Sequence, residues 1–263
     1  MTELPPGWLT DLAVLRLAGS TVADEGDHLV VRSPHSPHFH WGNFVLVTDG
    51  SAVDDAQRWV ATFVEAFPDA TWVSIGLVRT PDDPVPWQRA GLVLELDEVL
   101  TTRSLPRQTP LASGYVVRQL TGDDWSQSLR NAVAENARTD EHDAESYARF
   151  AVDQVAARRA LTERGAAAFF GAFAGDQLVA ELGIVPCGTT ARYQSVGTVP
   201  DHRRRGLAAH LLGVAARWAA DRGCDRWVII TESTNPAGRV YRSVGFEPDV
   251  GNAQAYRPSP REG

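Results

Sequence analysis

Between Arg192 and Arg222 an apolar, strand-like run ends at Pro200, and beyond it come three consecutive arginines, one glycine and a long amphipathic pattern. Its centre reads Thr198-Val199-Pro200-Asp201-His202-Arg203-Arg204-Arg205-Gly206-Leu207-Ala208. A strand feeding a helix through a glycine turn demands an α/β layer, because the helix must pack its apolar face back on the sheet. The turn is also an anion site. The first amides of a helix have no acceptor within it, and the helix dipole adds about half a positive charge. The spacing Arg203-x-x-Gly206-x-Ala208 differs from a P-loop, which ends in Gly-Lys-Ser/Thr. The chain has no lysine, all 25 basic residues being arginine, so any phosphate contact must use arginine or main chain.

A second motif comes one strand later: Asn235-Pro236-Ala237-Gly238-Arg239-Val240-Tyr241-Arg242-Ser243-Val244-Gly245-Phe246. In this order and at this separation, the two motifs resemble those of the GNAT acetyltransferase superfamily. The resemblance runs from Tyr115 to the C-terminus. It implies a GNAT acyl-CoA N-acyltransferase fold, a mixed and mainly antiparallel α/β (α+β) sheet flanked by helices. It implies acetyl-CoA as co-substrate, with two neighbouring strands splayed around its pantetheine arm. Main-chain groups of Val196 and Thr198 would meet that arm, and Val199 would lead into the turn. Arg203, Arg204, Arg205, Gly206, Leu207 and Ala208 would cradle the pyrophosphate, Gly206 because a Cβ there would block close approach. Asn235 and Ala237 would flank the acyl end, and Tyr241 would protonate the departing thiolate. A phenol with a pKa near ~10 can serve a thiol of comparable acidity.

The general base is open in the sequence. Some family members carry a glutamate on the strand before the loop, where this chain has Arg192. Glu181 is a candidate because a carboxylate inside the apolar run Val-Ala-Glu-Leu-Gly needs a reason; the alternative is a solvated, outward-facing side chain. Glu232, Glu135, Glu141, His142 and a chain of waters are the others.

The order from Tyr115 reads strand, two helices, hairpin, strand, helix, strand, helix. A Pro- and hydroxyl-rich stretch at 101–113 marks a linker, which predicts domains 1–108 and 113–263. The first domain reads as strands at Leu29–Arg32, Phe39–Thr48, Trp72–Val78 and Ala90–Val99, with a helix over Asp54–Phe67. Strand, helix, strand is the order of the CoA-binding half of the family fold. Its turn, Thr48-Asp49-Gly50-Ser51-Ala52-Val53-Asp54-Asp55, is acidic and would repel a pyrophosphate. The chain thus resembles tandem GNAT proteins in which one smaller, degenerate α/β half no longer binds cofactor.

Length and charge bound the rest. A chain of 263 residues is long enough for two domains, and a net charge of −8 argues against nucleic acid or a membrane surface as partner. His38 and His40 would share a face on a strand, a spacing a metal could use, although packing in a turn is the simpler reading and no metal is expected. Two distant cysteines and the absence of a leader or a long apolar run point to a cytoplasmic protein. The expectation is an acetyl-CoA-dependent N-acetyltransferase acting on a small-molecule or peptide amine by direct attack. A non-catalytic acyl-CoA-binding module is the alternative. Acceptor and oligomeric state are not specified.

Overall fold

A computed structural model describes residues 4–140 and 142–257. By their contacts the residues form two compact units. One holds 4–99, 230–234 and 249–257; the other holds 100–229 and 235–248. Elements are numbered in chain order.

The first unit opens with α1 (Pro6–Leu17), whose first-turn proline needs no amide acceptor. The strands are β1 (Thr21–Asp24), β2 (His28–Arg32), β3 (Phe44–Val47), β4 (Val73–Leu77) and the first part of β5 (Val93–Thr102). The helix α2 (Ala56–Ala66) joins β3 to β4 in parallel, and α3 (Val85–Arg89) precedes β5. Trp59 and Phe63 of α2 pack on Val45, Val47, Ile75, Leu77 and Trp87. Trp8, Leu12 and Leu15 of α1 pack with Leu29, Val31, Phe44 and Leu46. Strand alternation separates these two sets on β3.

The linear partition at 108–113 is not how the chain divides. The last strand, β12 (Asn252–Arg257), inserts between β4 and β5 and pairs antiparallel with both. Residues 249–257 therefore belong with the N-terminal half. Its inward residues, Ala253 and Ala255, are buried but small, so the segment carries little apolar signal. Residues 39–43 also differ from expectation. They form a short 3-10 turn instead of the start of a strand, so His38 and His40 do not share a strand face, and His40 stacks on Trp72 at 4.4 Å.

The second unit begins with β6 (Val116–Gln119), α4 (Asp124–Thr139) and α5 (Ala144–Glu163). The hairpin β7 (Ala168–Ala174) and β8 (Gln177–Cys187) is next, then β9 (Thr190–Thr198). After it come α6 (Leu207–Ala220), the first part of β10 (Arg226–Glu232), α7 (Ala237–Ser243) and the short β11 (Glu247–Pro248). Strands β6 to β9 pair antiparallel in succession, and β10 runs parallel to β9. The core lies between the sheet and α6 and α7, built on Leu182, Ile184, Tyr193, Leu211, Leu212, Ala215 and Phe246.

Candidate active site

Three features of β9 and its exit shape the site. The parallel ladder with β10 covers only Thr190–Arg192 opposite Arg226–Val228. Beyond Arg192, β9 keeps β8 on one side and, among the described residues, has no strand paired on the other. Second, β9 bulges: Glu181 pairs with Gly197 but Gly183 pairs with Gln194, and Ser195 takes a φ of 52°. A bulge bends the strand and re-aims the residues beyond it. Third, the Val199 amide donates to Val179 O at 2.9 Å. Alternation then turns the main-chain groups of Thr198 and Val196 away from β8, to the side where β9 has parted from its neighbour. Val199 itself is committed to β8 and offers no free amide.

The turn after β9 supplies donors. The Arg203 amide bonds Pro200 O at 3.1 Å, and the first bond of α6 is His210 N to Gly206 O at 3.0 Å. Between them, the amides of Arg204, Arg205, Gly206, Leu207, Ala208 and Ala209 meet no hydrogen-bond acceptor among the described residues. Arg204 and Gly206 both have positive φ, 62° and 74°. Left-handed residues within a turn fold successive amides into a concave anion-binding nest. A Cβ added to Gly206 would meet nothing within 4 Å of protein, so within the fold its need is the left-handed backbone.

The three arginines divide. Arg203 donates from Nε to Thr198 O at 2.9 Å and from Nη2 to Glu135 at 2.7 Å. Arg205 donates to Tyr115 Oη and to Asp201 O, both at 3.0 Å, and Tyr115 Oη in turn lies 2.8 Å from His202 Nδ1. These two side chains brace the turn instead of reaching outward, and Arg203 also takes the carbonyl of Thr198. Arg204 is exposed, with no side-chain partner among the described residues.

The candidate bases separate by environment. Glu135 is held at a pKa of about 2 by Arg138 and, against some desolvation, by Arg203, so it is a poor proton acceptor. Glu232 is exposed at the end of β10. His142 bonds Asn136 through its main chain and stacks on Tyr147 at 5.6 Å, while Glu141 lies outside the described residues. Glu181 is the exception. It does not face solvent: burial raises its pKa, with the Ser128 hydroxyl in hydrogen-bonding reach and Arg158 favouring the charged form. A buried carboxylate with a raised pKa is a better base at neutral pH than a paired one.

Tyr241 is buried on α7, and its pKa is pushed up to about 12 by desolvation, opposed by the charge of Arg192. It stays protonated through the neutral range and acts as a hydrogen-bond donor. Asn235 is exposed just ahead of α7, and its Oδ1 accepts from Ala237 N at 3.0 Å.

A strand edge that parts from its neighbour ahead of an amide-lined turn is a frame that suits an anionic ligand with an extended arm. Residues 128–246 match the model of the Acetyltransferase (GNAT) family, and that segment is a GNAT-family domain. Solved structures extend the likeness in fold to nearly the whole chain. A GCN5-related N-acetyltransferase from Kribbella flavida is 14% identical, with a TM-score of 0.68 over 99% of this chain and 98% of that one. A functionally unknown conserved protein from Staphylococcus epidermidis is 13% identical, with a TM-score of 0.65 over 90% and 93%. A tandem GNAT protein from the clavulanic acid biosynthesis pathway is 14% identical, with a TM-score of 0.57 over 97% and 95%. No curated protein matches the chain in sequence. Among the described residues no helix is long and apolar enough to cross a membrane.

Proposed function

We propose that the second unit transfers an acetyl group from acetyl-CoA to an amine by direct attack. The observation that carries this reading is the run of unpaired amides from Arg204 to Ala208 at the head of α6, which suits a diphosphate in number, direction and sign. Arg204 adds a charged donor from solvent, and the freed edge of β9 at Val196 and the Thr198 amide suits the amide groups of a pantetheine arm. Leu207 anchors the helix in the core, which keeps the nest rigid.

Glu181 takes the proton that the attacking amine must lose. The amine nitrogen forms a C–N bond with the thioester carbon, the C–S bond breaks, and the sulfur leaves as thiolate. Tyr241 donates its hydrogen bond to that sulfur. With a pKa of about 12 the phenol stabilises the developing charge as a donor without surrendering its proton early.

Calorimetric titration with CoA, then thiol release from acetyl-CoA over a panel of amines, tests the reading. Tight binding with release that depends on the amine is the expected result. Tight binding with no amine-dependent release supports a binding module instead, and failure to bind CoA removes the site.

A further inference from the structure

Arg158 stands on the inward stripe of α5, in line with the buried residues Ala151 and Val155, the latter one helical turn before it. Helix geometry points such a position at the sheet, not at solvent. Surrounding protein pushes the guanidinium pKa down, yet the residue keeps accessible surface and none of its nitrogens is sealed off. A group placed so can be reached by a small ligand. Among the described residues the guanidinium makes no hydrogen bond or ion pair; the Glu181 carboxylate favours its charged form without bonding to it.

A guanidinium has five donors in a planar fork and does not lose its proton in proteins, so here the fork is left for water or for an anionic ligand. Space lies near. Gly197 is the cross-strand partner of Glu181, and a Cβ added to it would meet nothing within 4 Å. Directly paired residues on adjacent strands share a face, so the opening adjoins the Glu181 carboxylate. A negative and a positive group that sense each other without touching match a molecule bearing the opposite pair of charges.

We propose that the acceptor is an amine that also carries a carboxylate, the carboxylate forked on Arg158 and the amine facing Glu181. A single guanidinium matches one carboxylate bidentately, whereas a phosphate dianion would bring excess negative charge beside Glu181. This inference rests on the acetyl-transfer reading of Glu181, so its test includes a readout that needs no turnover.

The probes are ω-amino acids from glycine to 6-aminohexanoate, each compared with its carboxamide and with the corresponding alkylamine. With the CoA-loaded full chain, binding is measured by calorimetry and turnover by thiol release. The amino acids are expected to bind and react best at one chain length, and Arg158→Gln is expected to lose roughly 30-fold or more in affinity for them. That variant should leave CoA affinity unchanged. Arg158→Lys, which keeps the charge without the fork, should retain part of the preference and guards against a folding defect. Carboxamides or alkylamines bound as well as amino acids, or a preference that survives in Arg158→Gln, overturn the proposal. Amino-acid binding lost in Arg158→Gln, without turnover of any amine by the native chain, upholds the carboxylate site and instead defeats the transferase reading.

Discussion

The turn before α2 and the turn before α6 occupy the same place in a strand–turn–helix unit, and they use their amides in opposite ways. Before α2, Ser51 N bonds Asp49 Oδ1 at 2.8 Å, Ala52 N bonds Asp49 O at 3.1 Å, and Arg58 N bonds Asp55 Oδ1 at 3.1 Å. Asp82 N and the Arg79 guanidinium both reach Asp54, at 2.7 and 2.5 Å. The acidic side chains thus supply internally the negative charge that a helix N-terminus favours. Before α6 no acidic side chain does this, and among the described residues six successive amides, from Arg204 to Ala209, meet no acceptor. One turn meets its helix end with its own acidic side chains; the other leaves its amides open to an anion.

Paired substitutions can break that comparison. Gly206→Glu places a carboxylate at the head of α6 and strains a left-handed position, so CoA affinity should fall by roughly 100-fold or more in calorimetry. Gly50→Glu, at the matching turn, should leave CoA affinity within about twofold, since that turn's amides already have acceptors. A stoichiometry near two CoA per chain, or a large loss in Gly50→Glu, would mean that the first unit also binds the cofactor.

The next effect concerns catalysis. Glu181→Gln should lower kcat by about 10²- to 10⁴-fold with CoA affinity retained. In the native enzyme, log kcat/KM should rise with pH through a limb set by Glu181. That limb lies above the ordinary carboxylate range, because burial raises this pKa and the base works only when deprotonated. The glutamine variant should lose the limb. An unchanged pH profile would return the role of base to water or to another residue.

The motif-bearing half of this comparison was legible in the sequence because its residues answer to main-chain demands. Gly206 at a left-handed turn, Pro200 ending a strand and Gly245 after α7, at a φ of 111°, each leave a local mark. The acidic turn was legible for the same reason, since Asp49 and Asp55 are ordinary capping residues. What stayed hidden depends on long-range pairing. The bulge at Ser195 has no glycine to announce it. The strand β12 joins a sheet whose other members lie far earlier in the chain, as in the pairing of Asn252 with Asp97. The uses of Arg203 and Arg205 were also hidden: proximity to a glycine turn suggested phosphate, whereas Glu135 and Tyr115, from distant elements, hold them. Arg158 did leave a trace, a charge at the spacing of Ala151 and Val155 on an otherwise apolar stripe. Helix α1 left one too, in Pro6 with Trp8, Leu12 and Leu15 at helical spacing after it.

Tyr241→Phe sharpens the role of the donor. Removing one hydrogen bond to a developing charge should cost about 10- to 100-fold in kcat. Since the phenol titrates near 12, no descending limb below about pH 10 should belong to it. A limb near neutrality that disappears in the phenylalanine variant would show a far more acidic tyrosine than this environment allows.

The smallest effect separates bracing from binding within the α6 turn. Glu135 holds Arg203 against the turn, and its pKa in the folded chain is about 2. A depressed carboxylate contributes stability above its unfolded pKa near 4.5 and loses it as pH falls towards 2. The native chain and Glu135→Gln should therefore differ most above pH 4.5 and converge at lower pH in thermal or denaturant unfolding. With 42% of the side chain exposed, screening limits the difference to no more than about 1 kcal/mol. CoA affinity should fall only a few-fold, because the amides from Arg204 onward do not depend on Glu135. A loss comparable to that of Gly206→Glu would mean that Arg203 leaves Glu135 to hold the ligand, and the turn before α6 would then grip its anion with side chains as well as with main chain.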